Sequence, residues 1–135
     1  MEKIEKQIAQ IKQELDESPN DGDLLNELGI GYHMLGDYDQ AIEYYQQALN
    51  QQPKAVKIHF NLANTFYEKK DIEKAINHYM NALDIKPDYV PALNNLADIY
   101  ELANEDEKAL ELFEYITEIN PEDPMGYFNL GNHHL

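Results

Sequence analysis

The sequence predicts an all-α fold, an α-solenoid (superhelix) built from antiparallel helix pairs. Two observations predict it. A set of leucine, small, aromatic and proline positions recurs every 34 residues without insertion or deletion. Within each repeat the apolar residues follow the spacing of amphipathic helices and are interrupted by turn residues. Repeats of this kind stack on their neighbours and bury one continuous core.

The repeat is marked most clearly by a leucine followed by a small residue. This pair occurs as Leu28-Gly29, Leu62-Ala63, Leu96-Ala97 and Leu130-Gly131. Later in each unit a small residue recurs at Ala41, Ala75 and Ala109, and a large aromatic residue recurs at Tyr45, Tyr79 and Phe113. Small residues allow two helix backbones to approach closely, and aromatic rings fill the remaining space. We interpret the pattern as a requirement of packing rather than of chemistry.

Each unit is predicted to contain two short helices. In the first unit they run from Leu24 to Leu35 and from Tyr38 to about Gln51. Turns between paired helices are predicted at Gly36-Asp37, Lys70-Asp71 and Asn104-Glu105. Pro53, Pro87 and Pro121 end the second helices, because proline lacks an N–H group and clashes with the preceding turn.

This order of residues resembles the tetratricopeptide repeat (TPR) family, whose units are helix pairs of the same length. The resemblance implies whole repeats at 22–55, 56–89 and 90–123, and 124–135 as the first helix of a truncated fourth repeat. Residues 1–21 are expected to form an N-terminal capping helix or half repeat, since Ile4, Ile8, Ile11 and Leu15 share one face. Because the sequence ends inside a helix, we expect the array to continue or to be completed by another copy.

Composition excludes several classes of function. The net charge is −16, and all ten basic residues are lysines, which disfavours nucleic acid as a partner. No apolar run approaches the ~20 residues that a membrane helix needs, and the N-terminus lacks the apolar stretch of a signal peptide. The sequence contains no cysteine, which excludes disulfides and cysteine-ligated metals. We expect a cytoplasmic protein without membrane contact.

No pattern in the sequence indicates catalysis or metal binding. The five histidines form no recognised ligand or catalytic spacing; they are His33, His59, His78, His133 and His134. No glycine-rich phosphate loop, calcium loop or nucleophile elbow is present. We therefore expect no enzyme activity, no catalytic residue, no cofactor and no metal.

The family resemblance implies that the first helix of each unit lines a concave groove that binds other proteins. Asn61/Asn64, Asn95/Asp98 and Asn129/Asn132 recur three residues apart on one helical face. Amide side chains both donate and accept hydrogen bonds, so this asparagine ladder suits an extended peptide main chain, with aromatic residues forming flanking pockets. The candidate peptide-binding residues are Asn26, His33, Phe60, Asn61, Asn64, Tyr67, Asn94, Asn95, Asp98, Glu101, Phe128, Asn129 and Asn132. Ile30 and Met34 fall on the same face. The alternative, that the asparagines are ordinary helix-surface residues, stays open.

The chemistry of the groove restricts its partner. Some members of the family clamp a terminal carboxylate with lysine and arginine, but the corresponding positions here include Asn26, Ile30, Pro91 and Asn95, none of which is cationic. Groove acids instead favour a neutral or basic extended segment of another protein. The alternative function is a self-assembly module, a homo-oligomer in which residues 1–19 and 124–135 stack on neighbouring copies.

Overall fold

The computed structural model describes residues 2–119. Seven α-helices and no strands occur in this range, so the prediction of an all-α helical-repeat fold is confirmed. The helices are α1 (Glu2–Glu17), α2 (Gly22–Met34), α3 (Tyr38–Gln51), α4 (Val56–Glu68), α5 (Ile72–Ile85), α6 (Val90–Leu102) and α7 (Asp106–Ile119). The chain forms two compact units, Met1–Ile85 and Lys86–Leu135. The expected fourth repeat, with Phe128, Asn129 and Asn132, lies outside the described residues.

The start of α2 differs from the sequence prediction by two residues. The helix begins at Gly22 rather than Leu24 because Asp21 serves as its N-cap. One carboxylate oxygen of Asp21 accepts hydrogen bonds from the backbone N–H groups of Asp23 at 3.0 Å and Leu24 at 3.2 Å. Two N–H groups that have no partner within the helix are thereby satisfied.

The turns within the three helix pairs fall where the sequence predicts them. Gly36, Lys70 and Asn104 have φ values of 81°, 73° and 63°, which lie in the left-handed region. A residue in this conformation commonly ends a helix, and glycine and asparagine adopt it at the lowest cost. Each pair can therefore reverse direction within a few residues.

The core of the first unit is built from the repeated positions. Leu28 and Leu62 are fully buried, and the rings of Tyr45 and Tyr79 are each only 2% exposed. Burial of each such side chain stabilises the fold by roughly 1.5–3 kcal/mol. Gly29 is required by this packing, since a Cβ atom there would lie 2.5 Å from the Tyr45 ring.

Helix α1 packs against α2 through its apolar face. Ile8 is buried, while Ile4, Ile11 and Leu15 are half-buried, in agreement with the predicted face. The contact is close because a Cβ atom on Gly31 would lie 2.8 Å from Ile8 Cγ1. Whether α1 is a capping helix or half of a repeat, and where each repeat begins, stay predictions.

The second unit contains the helix pair α6–α7. Its core uses the same repeated positions, with Leu96, Phe113 and Ile116 buried. Ile116 takes the place of a small residue and is accommodated with no exposed surface. In the part of the chain that the structure describes, no helix combines the length and apolar character needed to span a membrane.

Candidate functional site

Helices α2 and α4 contact each other in the first unit, and two predicted site residues meet between them. The Asn61 Nδ2 group donates a hydrogen bond to Asn26 Oδ1 at 3.3 Å. Both side chains are half-buried. This bond uses one donor of Asn61 and one acceptor of Asn26, so Asn61 Oδ1 and Asn26 Nδ2 are not part of it. We call the surface formed by Asn26, Ile30, His33, Met34, Asn61 and Asn64 the α2–α4 face.

A buried threonine beneath this face fixes the orientation of His33. The Thr65 hydroxyl donates to the backbone carbonyl of Asn61 at 2.9 Å, and His33 Nδ1 lies 2.8 Å from the same hydroxyl. Because a hydroxyl has one proton, His33 Nδ1–H must donate to Thr65. Imidazole Nε2 is then the acceptor of neutral His33.

Tyr45 lies next to this network. Burial raises the pKa of Tyr45 well above its ordinary value, and the neighbouring Thr65 hydroxyl lowers it to a smaller extent. Tyr45 therefore stays protonated. The fully buried Thr65 joins α4 to α2 through its contact with His33.

A cavity of about 130 Å³ opens on the α2–α4 face. It is lined by Ile30, His33, Met34, Tyr45, Asn61 and Asn64. Asn64 Oδ1 accepts a hydrogen bond from the Tyr79 hydroxyl, which ties the asparagine to the adjacent helix α5. The cavity thus combines amide, imidazole and apolar surface.

The predicted aromatic residues of α4 lie beside this cavity rather than in its lining. Phe60 packs against the ring of Tyr79, with centroids 5.9 Å apart, and is half-buried. Tyr67 is also half-buried. Phe60 therefore contributes to the packing of the α4–α5 hairpin as well as to its surface.

A second and larger cavity lies between α1 and α2. Its volume is about 380 Å³, and Ile8, Ile11, Gly31, Ile30 and Met34 supply its apolar lining. The polar lining consists of Gln7, Gln10, Glu14 and Glu27. We call this cavity the α1–α2 trough.

The remaining described candidates lie on α6 of the second unit. Asn94 and Asn95 are half-buried, whereas Asp98 and Glu101 are exposed. Burial and the neighbouring charge of Glu101 raise the pKa of the Asp98 carboxyl. Asn94 Oδ1 is buried and has no hydrogen-bond partner among residues 2–119.

The described residues offer little metal-binding chemistry. Within residues 2–119 no group of three or more histidine, aspartate or glutamate side chains could hold a metal ion. His59 and His78 do stack, with ring centroids 5.8 Å apart, but they form only a pair.

Sequence reasoning missed Thr65, Tyr45 and the trough as parts of the site. Thr65 occupies the position that Gly31 and Ile99 hold in the other units. A buried hydroxyl at a position that is otherwise small or apolar needs hydrogen-bond partners. The change from Gly31 and Ile99 to threonine is therefore the feature of the sequence that could have indicated Thr65. The sequence gives no signal for the trough, because the trough depends on how closely α1 approaches α2.

Comparison with known proteins agrees with this architecture. Family models described as "TPR repeat" match residues 29–70 and 63–104, and a model described as "Tetratricopeptide repeat" matches residues 92–124. Together these matches cover well over half of the chain. A search of the curated proteins found no match.

Solved structures are similar in fold at low sequence identity. Two structures of MamA share 23% identity with the chain, with TM-scores of 0.84 and 0.83; they cover 97% and 98% of this chain and 77% and 72% of MamA. The first TPR of Spaghetti (RPAP3), bound to the HSP90 peptide SRMEEVD, has 21% identity and a TM-score of 0.74, covering 84% of this chain and 93% of that one. Because the family models match both helix pairs of the first unit and continue into the second, the chain belongs to the tetratricopeptide repeat family of protein-interaction scaffolds.

Proposed function

We propose that the chain binds an extended peptide segment of another protein on the α2–α4 face. The observation that carries the proposal is the cavity of this face, where amide and imidazole groups stand beside apolar side chains and His33 is held in one tautomer by Thr65. Imidazole Nε2 and Asn61 Oδ1 can accept from peptide N–H groups, and Asn26 Nδ2 can donate to a peptide carbonyl. A peptide main chain presents both kinds of group at regular spacing.

The Asn26–Asn61 and Thr65 bonds support this proposal because they pre-organise the face. Side chains that are already held in place lose less conformational freedom when a ligand binds. Phe60 and Tyr67 would contact side chains of the peptide bound by the first unit. By extension, Asn94, Asn95, Asp98 and Glu101 would present a similar set of groups on α6 of the second unit, considered by itself.

The charge of the proposed ligand follows from the charge of the chain. The peptide SRMEEVD in the Spaghetti (RPAP3) structure carries three acidic residues and one arginine. The present chain has a net charge of −16, and the adjacent acids Asp98 and Glu101 repel each other. An acidic peptide would add to this repulsion, so we propose a neutral or basic segment.

The test compares two double variants in binding to peptides selected from a random library. Asn26→Ala with Asn61→Ala removes amides of the α2–α4 face, whereas Asn50→Ala with Asn81→Ala removes two exposed amides on α3 and α5. Loss of hydrogen bonds worth about 0.5–1.5 kcal/mol each should weaken binding about tenfold in the first variant. The second variant should bind as the wild type does in isothermal titration calorimetry.

Equal affinity of both variants would place the ligand elsewhere and reject the proposal. The alternative of self-assembly through 1–19 and 124–135 stays a prediction, since the second segment lies outside the described residues. It predicts a molecular mass that rises with concentration. The cytoplasmic location and the absence of enzyme activity also stay predictions.

A further inference from the structure

The α1–α2 trough continues directly from the polar cavity of the α2–α4 face. Ile30 and Met34 line both cavities. They are 38% and 59% exposed, although both are large and apolar. One surface in the first unit therefore has a polar half next to α4 and an apolar half next to α1.

The packing of the repeats does not require this apolar surface. The positions of Ile30 and Met34 are occupied by Asn64 and Glu68 one repeat later. In α6 the first position holds Asp98, while the second holds Leu102, which is apolar and 73% exposed. The helices form equally well with polar residues at these positions. Apolar exposure at both positions is thus a property of the first helix pair alone among the described pairs, and it calls for a reason other than folding.

The depth of the trough comes from the close approach of α1. Gly31 leaves room for the Ile8 side chain, because a Cβ atom on residue 31 would clash with Ile8 Cγ1 at 2.8 Å. Ile8 and Ile11 then form one wall, and Ile30 and Met34 form the other. A volume of about 380 Å³ is in the range of small-ligand pockets and exceeds the size of one large apolar side chain.

The charged residues that line the trough are all acidic. Glu14 and Glu27 are exposed, the glutamines Gln7 and Gln10 are neutral, and no lysine lines the trough. A second copy of this chain, with a net charge of −16, would meet like charge here. A segment with a positive charge beside an apolar side chain would match both the apolar walls and the acidic rim.

We propose that the α1–α2 trough binds an apolar anchor of the partner segment, a leucine, methionine or phenylalanine side chain flanked by lysine or arginine. The anchor fills the space between Ile11, Ile30 and Met34, and the basic residue pairs with Glu14 or Glu27. This inference rests on the proposed function, since the anchor belongs to the segment whose main chain contacts the α2–α4 face. It adds the feature that selects one partner over another, because an apolar anchor in a pocket supplies much of the affinity of an interface.

The test uses random peptides of about 12 residues displayed on phage and selected against the full chain. The selected sequences should be enriched in a large apolar residue next to lysine or arginine. The best peptide is then synthesised and titrated against the variant Ile30→Asn with Met34→Glu, which installs the residues found at Asn64 and Glu68. Affinity should fall at least about tenfold, because an apolar anchor would lose its pocket.

Two further variants control this test. Ile72→Asn with Met80→Glu changes the same residue types on α5, where Ile72 and Met80 are 38% and 44% exposed, and should leave affinity unchanged. Glu14→Gln with Glu27→Gln should keep the apolar preference of the peptides but remove the preference for lysine and arginine. Circular dichroism verifies that every variant has wild-type helicity.

The outcomes separate this inference from the proposed function. If Asn26→Ala with Asn61→Ala weakens binding but Ile30→Asn with Met34→Glu does not, the peptide site stands and the anchor is rejected. The anchor is also rejected if the selected peptides lack a large apolar residue next to lysine or arginine. Failure to select any binder rejects both. Wild-type dimers that the trough variant abolishes would reject the anchor in favour of a second copy as the occupant.

Discussion

The helix pairs α2–α3 and α4–α5 have the same skeleton in their interior. Leu28 and Leu62 occupy equivalent positions and are both fully buried, as are Ala41 and Ala75. The tyrosine rings of the two pairs are equally exposed, at 2%. At these positions the period of the repeat restricts the residue, because each side chain must fill the same space between neighbouring helices.

The same two pairs differ at positions where packing leaves a choice. Ile30, Gly31 and Met34 in α2 correspond to Asn64, Thr65 and Glu68 in α4. The first set lines the apolar side of the α1–α2 trough. In the second set Asn64 accepts a hydrogen bond from Tyr79, the buried Thr65 donates to the Asn61 carbonyl, and Glu68 is exposed. The two helix pairs therefore share one set of buried residues but present different chemical groups at the positions that packing leaves free.

The largest effect should come from the shared skeleton. Leu28→Ala and Leu62→Ala each remove a fully buried side chain and leave a cavity, so each should lower the free energy of unfolding by about 2–5 kcal/mol. The two losses should be similar, since both leucines fill equivalent spaces. Urea denaturation followed by circular dichroism measures both. A loss at one position that is several times the other would show that the two pairs are not equivalent in their interior.

Much of the fold follows from the sequence because this skeleton repeats. The turns at Gly36, Lys70 and Asn104 are marked by local residues, and their left-handed backbone confirms them. The apolar pattern begins at Leu24 and therefore predicts too late a start for α2. The helix begins at Gly22, because Asp21 is its N-cap. Local capping decides a helix end that apolar periodicity alone does not mark.

The candidate site was less predictable because its contacts join residues that are far apart in sequence. The spacing of Asn61 and Asn64 places both on one face of α4, but the partners Asn26 and Tyr79 come from two other helices. His33 was included as a polar residue of the groove, with no indication that Thr65 would orient it. Such pairs depend on the distance between helices, which the period does not specify.

A smaller effect should come from the buried polar network that distinguishes α4 from α2. Thr65→Val keeps the shape of the side chain but removes the hydrogen-bond partner of His33 Nδ1. An unsatisfied buried donor costs about 1–3 kcal/mol, so the free energy of unfolding should fall by that amount. Thr117→Val is the matched control, because among residues 2–119 the Thr117 hydroxyl bonds only to the backbone carbonyl of Phe113 in its own helix.

Urea denaturation again measures both variants, and the control should lose less than Thr65→Val. Equal losses would mean that the Thr65 hydroxyl does nothing beyond its bond to the Asn61 carbonyl. The contribution of His33 to the network would then be negligible, and the orientation of His33 would need another cause.

The smallest expected effect concerns a histidine pair that, among the described helix pairs, only α4–α5 contains. His59 and His78 stack where the first pair has Leu25 and Tyr44, and His78 also stacks on Phe66 at 5.5 Å. Burial, then the neighbouring His59 and Lys74, lower the pKa of His78 below its ordinary value. His59 Nε2 lies 3.0 Å from the Pro53 carbonyl and donates to it, and the Nδ1 atoms of both histidines are buried without a hydrogen-bond partner among residues 2–119.

The direction of the pH effect follows from this lowered pKa. The unfolded chain binds a proton at His78 near pH 6.5, whereas the folded chain resists it to a lower pH, so the unfolded state carries more protons in between. The contribution of His78 to the free energy of unfolding is therefore fully present above about pH 6.5, and it is lost as the pH falls toward the lowered pKa of the folded chain. The difference in urea midpoint between pH 7.5 and pH 5.5 should be smaller in His78→Phe, which keeps an aromatic ring in the stack and cannot titrate. Because carboxylates titrate equally in both proteins, an identical pH dependence would show that the folded chain binds a proton at His78 as readily as the unfolded chain does, which would contradict the lowered pKa.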